Sequence, residues 1–453
     1  MALIDINPDD IAEKLREGKI TIAVVGAGRI GLPTAVLFAD AGAKVIACDI
    51  DEGVVTCINN GQNYIDEPGL NELFGKVVKS GQLKASTDTT LTMETADVAI
   101  LSVPTPVSEE KVPVYDFILS AAKAVGDGFR KGAMVIVEST IAPGTLESQI
   151  IPVLEKASGL KAGKDFLAAS CPERADPGSI ITRFRAIPRV IGGIDRRSVE
   201  AARALYSTIA DQILVVSDPK TANAVKLTEN VFRDVNIALM NELAILFERL
   251  GIDVLEVIET AASKWNFVPH YPGAGVGGPC LPANAYYLIG EGNKIGYVPY
   301  ILRLSREIND RMPLEMVRLA MEALNRAGKC LRGSRVVILG ITYKPGVRDI
   351  QATPTLPIIN ELTERGADIT LCDPVMDGTT FQGYQVTGNI EAAIKAADCI
   401  IVVTAHKEFK ELHLDRAAQL SANPLIIVDG RGIYREVVKP ERTIYVGIGI
   451  PFR

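Results

Sequence analysis

The chain has 453 residues, of which 47% are hydrophobic and 23% are charged, and its formal net charge is −7 at pH 7. At ~150 residues per domain this length allows two to four domains, and the composition is that of an ordinary globular protein. The acidic balance argues against an extended nucleic-acid-binding surface, although a local basic pocket for a phosphate is compatible with it.

The cysteines and histidines are too few and too scattered to indicate a disulfide framework or a zinc site. Seven cysteines occur without a CxxC pair, and there are three histidines. This pattern favours reduced thiols in a cytoplasmic protein, and no metal site is expected. The acidic, amphipathic N-terminal segment lacks the apolar stretch of a signal peptide. No run of ~18 apolar residues is present, so no membrane span is expected.

The first part of the chain alternates short β-branched runs with helical stretches. The runs ITIAVVGAG (20–28), KVIACDI (44–50), ADVAILSVPTP (96–106) and AMVIVEST (133–140) are predicted to be buried strands that end at polar turns. Strand–helix alternation of this kind is typical of a parallel, doubly wound sheet. We therefore predict a Rossmann-like domain over residues 1–217.

A glycine fingerprint follows the first predicted strand. Gly26, Gly28 and Gly31 form GxGxxG before a helix, and Asp49 ends the next predicted strand. Such glycines permit a tight turn, the close approach of a pyrophosphate and helix–strand packing, and the helix N-terminus favours phosphate. Asp49 would accept the adenosine ribose hydroxyls and repel a 2′-phosphate, so NAD is favoured over NADP. A glycine turn that binds nothing is the alternative.

Polar residues at the ends of later strands are candidate contacts for the cofactor or the substrate. Thr105 lies in SVPTP, and Ser139 and Thr140 lie in VESTIAPGT, at strand ends where open α/β sheets bind ligands. Capping of a helix is the alternative for each of them. Glu173 follows the apolar run DFLAAS and is a candidate acid or base, with an exposed loop glutamate as the alternative.

The centre of the chain is predicted to be helical. Residues 221–250 contain no proline or glycine, and their apolar residues recur at three- and four-residue spacing. This pattern predicts one helix of about 30 residues that ends before Gly251. A second helical block is predicted over 299–327. A helical domain over 218–328 would join two α/β parts, and its long helix is a natural surface for a homodimer.

Within the long helix, Lys226 and Asn230 are four residues apart and therefore share a face. The neighbours Val225, Leu227 and Val231 indicate that the helix is largely buried. Burial lowers the pKa of a lysine amine, which would suit it to polarise an oxyanion or to relay a proton. A solvated pair on an amphipathic helix is the alternative.

Cys280 lies in the run PGAGVGGPCLPANAYY (272–287). Cysteine is a strong nucleophile because some thiolate is present near neutral pH. The four glycines before it let the backbone fold tightly and let a ligand approach the sulfur, which favours a reactive thiol over a small buried hydrophobe. An NAD-binding chain with such a nucleophile can hold an aldehyde covalently while a hydride leaves.

The C-terminal part repeats the pattern of the N-terminal part. GADITLCDP (366–374) parallels GAKVIACDI (42–50). Asp373 ends the second predicted strand of the C-terminal part, as Asp49 ends the second predicted strand of the N-terminal part. Gly340 stands without a complete GxGxxG, so a second Rossmann-like domain over 329–453 is expected to bind a nucleotide but not a dinucleotide. The predicted fold class is α/β, with two Rossmann-like, doubly wound domains joined by a helical domain. Convergent composition is the alternative to a repeat.

With these residues assembled, the chain resembles the UDP-glucose/GDP-mannose dehydrogenase family, the nucleotide-sugar 6-dehydrogenases. The resemblance covers nearly the whole length and is carried by GAGRIGLPTA, SVPTP, EST, CPER, AVKLTENVFRDVNIALMNELA, GVGGPC and GITYKP, in the order of the family. CPER, ENVFRDVNIALMNE and KWNF resemble the branch that acts on UDP-2-acetamido sugars (UDP-N-acetylmannosamine, -glucosamine or -galactosamine). UDP-N-acetyl-D-mannosamine is the first expectation, and UDP-glucose is the alternative.

The resemblance implies a four-electron oxidation of C6 from alcohol to carboxylate with two NAD. Cys280 would add to the intermediate aldehyde, a second hydride would leave, and water would hydrolyse the thioester. Glu173 would be the base for that water, and Lys226 would stabilise oxyanions. Asn230 would hold the sugar, and Thr140 would orient a water near C6.

The resemblance also implies contacts to the ligands. The segment from Gly273 through Gly277 to Gly278 would wrap the sugar, and Lys264 would reach the substrate of a neighbouring subunit. The other expected contacts are Arg29, Ile30, Pro104 and Thr105 for NAD, Arg174, Arg233 and His270 for the substrate, and Tyr343, Lys344 and Arg431 for the UDP group.

Two positions depart from the family pattern. An aspartate is usual four residues after the cysteine, and this chain has Asn284, which can hold a water or the lysine but cannot act as a base. An arginine is usual where Gln351 stands, and Arg348 on the same loop is a candidate substitute. These departures motivate a protein that binds NAD and a UDP-sugar without catalysis as an alternative. A two-electron hydroxyacid dehydrogenase is the remaining alternative enzyme.

Overall fold

The computed structural model describes residues 2–175 and 178–452, so Asp176 and Pro177 of the SCPERADPG segment lie outside the described residues, as do the two terminal residues. The chain divides into two compact units. Unit 1 comprises Met1–Glu229 and Tyr286–Tyr297, and unit 2 comprises Asn230–Ala285 and Val298–Arg453. The three domain boundaries expected from the sequence stay predictions.

One sheet organises unit 1. Its strands among the described residues are β1 (Thr21–Val25), β2 (Lys44–Cys48), β3 (Leu83–Ser86), β4 (Val98–Leu101), β5 (Met134–Val137), β6 (Leu167–Ser170), β7 (Arg189–Gly193) and β8 (Ile213–Val215). Their order is β3-β2-β1-β4-β5-β6-β7-β8, and every neighbouring pair is parallel except β6 and β7. The carboxyl ends of β1 and β4 form the switch point where sheets of this order bind ligands.

Helices cover both faces of this sheet. They are α1 (Pro8–Arg16), α2 (Gly31–Asp40), α3 (Glu52–Asn59), α4 (Leu70–Lys79), α5 (Thr89–Met93), α6 (Asp116–Asp127), α7 (Ile151–Ser158), α8 (Ile180–Arg183) and α9 (Arg196–Tyr206), with short turns of other helix types at Leu3–Asp5 and Leu146–Ile150. Successive residues of a strand point to opposite faces. Ile22 and Val24 of β1 accordingly belong to one apolar core, and Ala23 and Val25 belong to another. A strand buried on both faces has a continuous apolar sequence, as predicted.

Two helices contain residues of both units. Helix α10 (Pro219–Arg249) is 31 residues long, and Gly251 beyond its end has a φ of +72°. The predicted long helix is therefore confirmed. Helix α12 (Leu281–Lys294) begins directly after Cys280.

Unit 2 contains the second sheet. Its strands are β9 (Arg335–Leu339), β10 (Asp368–Cys372), β11 (Thr380–Phe381), β12 (Tyr384–Thr387), β13 (Cys399–Val402), β14 (Leu425–Asp429) and β15 (Thr443–Gly447). The other helices are α11 (Val254–Ala261), α13 (Tyr300–Arg326), α14 (Thr355–Glu364), α15 (Ile390–Ile394), α16 (Lys407–Lys410) and α17 (Leu414–Leu420), with a 3-10 turn at Pro374–Met376. The order is β11-β12-β10-β9-β13-β14-β15, and only β11 and β12 are antiparallel in the described ranges.

The architecture matches the fold class expected from the sequence. Two mostly parallel sheets of Rossmann-like order are separated along the chain by a helical region that includes α10 and α13. Alternate residues of β9 again divide between two cores, with Val336 and Ile338 in one and Val337 and Leu339 in the other. Over the described part of the chain, no helix combines the length and the apolar character that crossing a membrane requires.

Candidate active site

The glycine fingerprint of unit 1 forms the turn between β1 and α2. Gly26 has a φ of +96°, and a Cβ there would lie 2.5 Å from the carbonyl oxygen of Ser102. A Cβ on Gly31 would lie 1.8 Å from the carbonyl oxygen of Gly26. The Cβ position of Gly28, in contrast, has no described atom within 4 Å. The first and third glycines are therefore required by packing, and the second leaves the backbone open to a pyrophosphate at the N-terminus of α2.

Asp49 adjoins this turn from the end of β2. Its Oδ2 accepts a hydrogen bond from the N–H of Ala27 at 2.8 Å, and its Oδ1 accepts one from the N–H of Asp51 at 3.0 Å. The hydroxyl of Tyr64 donates to the carbonyl oxygen of Ala27. Asp49 is half-buried, so its carboxylate keeps accessible lone pairs that fit ribose hydroxyls. The turn and the aspartate together fit a dinucleotide.

Hydroxyl groups tie together the segments that follow β4 and β5. The hydroxyl of Thr105 donates to the carbonyl oxygen of Thr140 at 2.7 Å, and that of Ser139 donates to the carbonyl oxygen of Val103 at 2.7 Å. The hydroxyl of Tyr287 donates to the carbonyl oxygen of Thr105. None of the three predicted hydroxyl residues caps a helix in the described ranges, so the capping alternative is wrong.

Glu173 is buried, with 7% of its surface exposed, so the alternative of an exposed loop glutamate is wrong. One carboxylate oxygen pairs with the guanidinium of Arg189, which has no exposed surface. The other oxygen accepts hydrogen bonds from the N–H groups of Arg174 and Ala175 at 2.8 and 2.5 Å. These contacts fix the orientation of the carboxylate. Sequence reasoning missed Arg189, although an arginine that opens the apolar run RVIGG was a signal.

A second buried carboxylate, that of Glu138, lies directly after β5. It accepts hydrogen bonds from the hydroxyls of Tyr206 at 2.6 Å and Thr34 at 3.2 Å. Burial raises the pKa of Glu138 to about 7, the charge of Glu173 adds to this rise, and Arg189 acts in the opposite direction. The EST motif contains Glu138, but nothing local in the sequence revealed that it is buried among charged groups.

The predicted residues of α10 are more buried than a solvated helix face would be. Lys226 is 8% exposed, so the solvated alternative is wrong for this residue. Asn230 is half-buried, and its Nδ2 has no hydrogen-bond partner among the described residues. The Nε of Arg174 donates to Glu229 at 3.0 Å, which ties the CPER segment to α10. Arg233 is exposed.

Cys280 is exposed, so its interpretation as a small buried hydrophobe is wrong. Its carbonyl oxygen accepts hydrogen bonds from the N–H groups of Ala283 and Asn284 at 3.2 and 2.9 Å, which places it at the start of α12. N–H groups at a helix N-terminus favour negative charge nearby. Asn284 is 3% exposed, and its Nδ2 lacks a partner within the described part of the chain. A buried amide donor therefore lies one helical turn after the thiol.

The glycine-rich segment before the thiol packs closely against other parts of unit 2. A Cβ on Gly273 would lie 2.5 Å from Nη1 of Arg431, and a Cβ on Gly278 would lie 2.8 Å from the ring of Tyr343. The N–H of Gly278 donates to the carbonyl oxygen of Gln351 at 2.9 Å. Within unit 2, the segment expected to wrap the sugar therefore lies against Arg431 and Tyr343, which are two of the residues expected to contact the UDP group. Gln351 makes this hydrogen bond through its backbone carbonyl group, so the contact does not depend on its side chain.

Arg431 lines a cavity of about 240 Å³ in unit 2. Its Nε donates to the carbonyl oxygen of Val403 at 2.8 Å, and its N–H donates to the carboxylate of Asp429 at 3.0 Å, so its orientation is defined. Other residues that line this cavity are Glu259, Tyr271, Pro272 and Arg435. The remaining expected contacts differ in exposure: Lys344 and His270 are half-buried, whereas Lys264 and Arg348 are exposed.

Comparison with known proteins identifies the family. Three domains of the UDP-glucose/GDP-mannose dehydrogenase family match in order: the NAD binding domain over residues 20–210, the central domain over 220–311 and the UDP binding domain over 337–436. The chain belongs to the UDP-glucose/GDP-mannose dehydrogenase family. The resemblance found in the sequence motifs is therefore confirmed.

Relatives of this family match nearly the whole chain. The UDP-N-acetyl-D-mannosamine dehydrogenase of Pyrococcus horikoshii is 36% identical over 429 residues, which cover 94% of this chain and 99% of the relative. The UDP-N-acetyl-D-glucosamine 6-dehydrogenase of Pseudomonas aeruginosa is 35% identical over 419 residues, with 90% and 96% covered. A solved structure of UDP-D-ManNAc dehydrogenase from Pyrococcus horikoshii matches with a TM-score of 0.89 at 35% identity, covering 95% of this chain and 99% of that one.

As a member of the UDP-glucose/GDP-mannose dehydrogenase family, the protein is an NAD-dependent UDP-sugar dehydrogenase, an oxidoreductase. NAD is its cofactor, and the UDP binding domain indicates that it binds a UDP-sugar. The open backbone at Gly28 and the accessible carboxylate of Asp49 fit NAD.

Proposed function

We propose that this dehydrogenase oxidises the C6 hydroxyl of a UDP-N-acetylhexosamine to the uronate, with UDP-N-acetyl-D-mannosamine as the substrate. The name and the 94% coverage of the Pyrococcus horikoshii relative support this sugar. The relative named for UDP-N-acetyl-D-glucosamine is 35% identical, so the epimer is decided by the experiment below.

The observation that carries a four-electron reaction is the exposed thiol of Cys280 at the start of α12. A dehydrogenase that removes two electrons releases a carbonyl product and needs no nucleophile. An aldehyde, in contrast, must first form an adduct before its carbon can lose a second hydride. A thiol provides that adduct.

In the first oxidation C6 loses a hydride and its hydroxyl group loses a proton, which gives the aldehyde. NAD, when bound, takes up the hydride in each oxidation, so two NAD are reduced per sugar. The sulfur of Cys280 bonds to C6 of the aldehyde, and the oxygen takes up a proton to give a thiohemiacetal. Loss of a hydride and a proton leaves a thioester on Cys280. Water then attacks C6, the carbon–sulfur bond breaks, and Cys280 is regenerated as the uronate leaves.

The predicted polar residues take separate roles. Glu173 accepts the proton of the hydrolytic water, as the family resemblance implies, and its hydrogen bonds fix the orientation of the carboxylate. Lys226 stabilises negative charge on the C6 oxygen, and Thr140 orients a water. Asn230 and Asn284 each have a buried Nδ2 without a partner among the described residues, and these groups donate to sugar or C6 oxygens. Asn284 is a donor in this scheme, so the base is Glu173.

The binding roles follow the family motifs. Gly273 to Gly278 wrap the sugar, and the UDP group is held beside Arg431 in the domain that follows residue 328. The remaining proposed contacts are Arg29, Ile30, Pro104 and Thr105 for NAD, and Arg174, Arg233, Lys264, His270, Tyr343 and Lys344 for the substrate. The proposal keeps three domains, over residues 1–217, 218–328 and 329–453.

The proposal includes a homodimer through α10. Phe232, Leu239 and Leu246 on this helix are 53%, 46% and 49% exposed. They recur every seven residues and so form one stripe, and an exposed apolar stripe of this kind is typical of a protein interface. Sedimentation equilibrium that gives the mass of a single chain would exclude the dimer.

The test is a panel of UDP-sugars followed by NADH absorbance and product analysis. We expect the highest kcat/KM with UDP-N-acetyl-D-mannosamine, two NADH per sugar, and loss of uronate formation in Cys280→Ala. Cys330→Ala is the matched control, because Cys330 is also exposed but lies outside the glycine-rich segment. One NADH per sugar with free aldehyde as product would refute the four-electron reaction. Binding of NAD and UDP-sugars without NADH over hours would support the non-catalytic alternative.

A further inference from the structure

A buried chain of polar side chains in unit 2 ends on the glycine-rich segment. The N–H of Gly273 donates to Oδ1 of Asn241 on α10 at 2.9 Å. Nδ2 of Asn241 donates to Oδ1 of Asn309 on α13 at 2.9 Å. Asn309 donates to the carboxylate of Asp234 at 2.8 Å, and this carboxylate pairs with Arg306 at 2.6 Å. Five groups from three parts of the chain are thus connected in series.

This series of hydrogen-bonded side chains has almost no contact with solvent. Asn241 has no exposed surface, Asn309 and Asp234 are each 1% exposed, and Arg306 is 2% exposed. The charged pair orients Asn309, and Asn309 presents an acceptor to Asn241. The amide of Asn241 therefore has one favourable orientation, with its oxygen toward Gly273, because the reversed amide would place two oxygens against each other.

There is no space for a side chain at Gly273. A Cβ there would lie 2.5 Å from Nη1 of Arg431, so the backbone already lies against the guanidinium. At the other end of the segment, the N–H of Gly278 is fixed by the carbonyl oxygen of Gln351 at 2.9 Å. Between these ends, Gly275 packs on Pro354, whose side chain would lie 3.0 Å from an added Cβ. The segment is thus held at two hydrogen bonds and packed between them.

We propose that Asn241 is a positioning residue for the UDP-sugar. It holds Gly273, and through it the sugar-wrapping segment, at the distance from Arg431 that substrate binding requires. The inference rests on the proposed function, in which this segment wraps the sugar. Asn241 does not touch the reacting atoms, so its loss acts on the binding of the UDP-sugar and not on the binding of NAD, whose glycine turn belongs to unit 1.

The decisive variant is Asn241→Leu, which has a similar size and removes the acceptor for Gly273. We expect KM for the best UDP-sugar to rise about tenfold, as for the loss of one buried hydrogen bond, while KM for NAD stays within twofold. Met240→Ala is the matched control. Met240 is the preceding residue on α10 and is 5% exposed, so the variant loosens the same core without breaking the polar chain.

Asn241→Asp is the conservative variant, and it also serves if Asn241→Leu fails to fold. A protonated carboxyl accepts from Gly273 and donates to Asn309, as the amide does. The ionised form turns an oxygen toward Oδ1 of Asn309. KM for the UDP-sugar should therefore be near wild type at low pH and rise with pH relative to wild type. A general structural role would not produce that pH profile.

Several outcomes would overturn the inference. They are an unchanged KM for the UDP-sugar in folded Asn241→Leu, an equal rise in KM for NAD, an equal effect of Met240→Ala, or a KM ratio of Asn241→Asp to wild type that does not change with pH. If the wild type forms no NADH from any UDP-sugar, the proposed function fails separately. Calorimetry with UDP-N-acetyl-D-mannosamine then decides the inference: a tenfold higher Kd in Asn241→Leu supports it, and an unchanged Kd overturns it.

Discussion

The turns that follow β1 and β9 begin in the same way in the two sheets. Gly26 and Gly340 have φ values of +96° and +97°. A Cβ on Gly26 would lie 2.5 Å from the carbonyl oxygen of Ser102, and a Cβ on Gly340 would lie 2.4 Å from the side chain of Thr404. In each turn a side chain at this position would collide with a residue just after a neighbouring strand, so only glycine fits. The two turns share one steric design.

The aspartates that adjoin these turns differ. Asp49 is half-buried, and its Oδ2 accepts one hydrogen bond from the turn. Asp373 has no exposed surface, and its Oδ2 accepts from the N–H of Ile341 at 2.8 Å and from the N–H and hydroxyl of Thr342 at 3.1 and 3.2 Å. His406 lies 3.2 Å from the same oxygen. The lone pairs of Asp373 are thus used within the protein.

One substitution accounts for much of this difference. Thr342 occupies the position that Gly28 has in the first turn, two residues after the initial glycine. The Cβ position of Gly28 faces open space, whereas the hydroxyl of Thr342 binds the aspartate. An aspartate at the end of the second strand is therefore accessible to a ligand in one sheet and bound within the protein in the other. The residue two positions after the glycine contributes to this difference.

Asp373→Ala tests the structural side of this comparison and should have the largest effect. The variant leaves the donors of Ile341 and Thr342 without an acceptor in a fully buried position. We expect the free energy of unfolding, measured by urea denaturation, to fall by about 4 kcal/mol. KM for NAD should stay within twofold. A raised KM for NAD with unchanged stability would contradict the assignment of Asp373 as structural.

The buried carboxyls of Glu138 and Asp373 should also respond differently to pH. Burial raises the pKa of Glu138 from 4.5 to about 7. Burial pushes the pKa of Asp373 upward too, but His406 and the N–H groups of Ile341 and Thr342 outweigh it, so this pKa is lowered from 3.8. A raised pKa stabilises the fold at low pH, and the stabilisation is lost as the pH rises. A lowered pKa of an acid stabilises the fold above the unfolded pKa, and the stabilisation is lost as the pH falls.

Of these two carboxyls, Glu138 should therefore change its contribution between pH 4.5 and 7, whereas Asp373 should not. Native-state hydrogen exchange should report a loss of roughly 3 kcal/mol at β5 over this window. Glu138→Gln should flatten the profile at β5, because an amide does not ionise. A profile at β5 that stays the same in the variant would assign the pH dependence to another group.

Asp49→Ser tests the ligand side of the comparison and should have the smallest effect on the free energy. Loss of a charged acceptor for the ribose should weaken NAD binding by about 2 kcal/mol, or about thirtyfold, and reduce the preference for NAD over NADP. Asp51→Ser is the control, because it removes the same charge two residues away while a serine still caps α3. Equal losses in both variants would indicate a general charge effect.

Local patterns predicted much of the fold and indicated several candidate site residues. The GxGxxG turn, the strand ends and the long helix each depend on residues close in sequence, so apolar periodicity and glycine placement were sufficient. The same reasoning placed Cys280 after a glycine-rich segment. Cys280 lies at the start of a helix because α12 begins at the next residue, Leu281.

The residues that sequence reasoning missed act across long separations. Arg189 reaches Glu173 from the start of β7, and Asn241 lies 32 positions before the glycine that it binds. Glu173 lies in a loop, so its local sequence does not indicate burial. Its burial results from packing against distant residues such as Arg189. Charged and amide residues in such positions have the same local sequence as solvated ones, so only the tertiary structure separates the two.

Unit 1 is assembled from two separate stretches of chain. Tyr287 belongs to the second stretch, yet it packs with Ala142 and Leu227 and donates to the carbonyl oxygen of Thr105. A fragment that stops at residue 229 would therefore lack a piece of its own core. Any continuous piece of the gene that encodes all of unit 1 must also encode residues 230–285, which belong to unit 2.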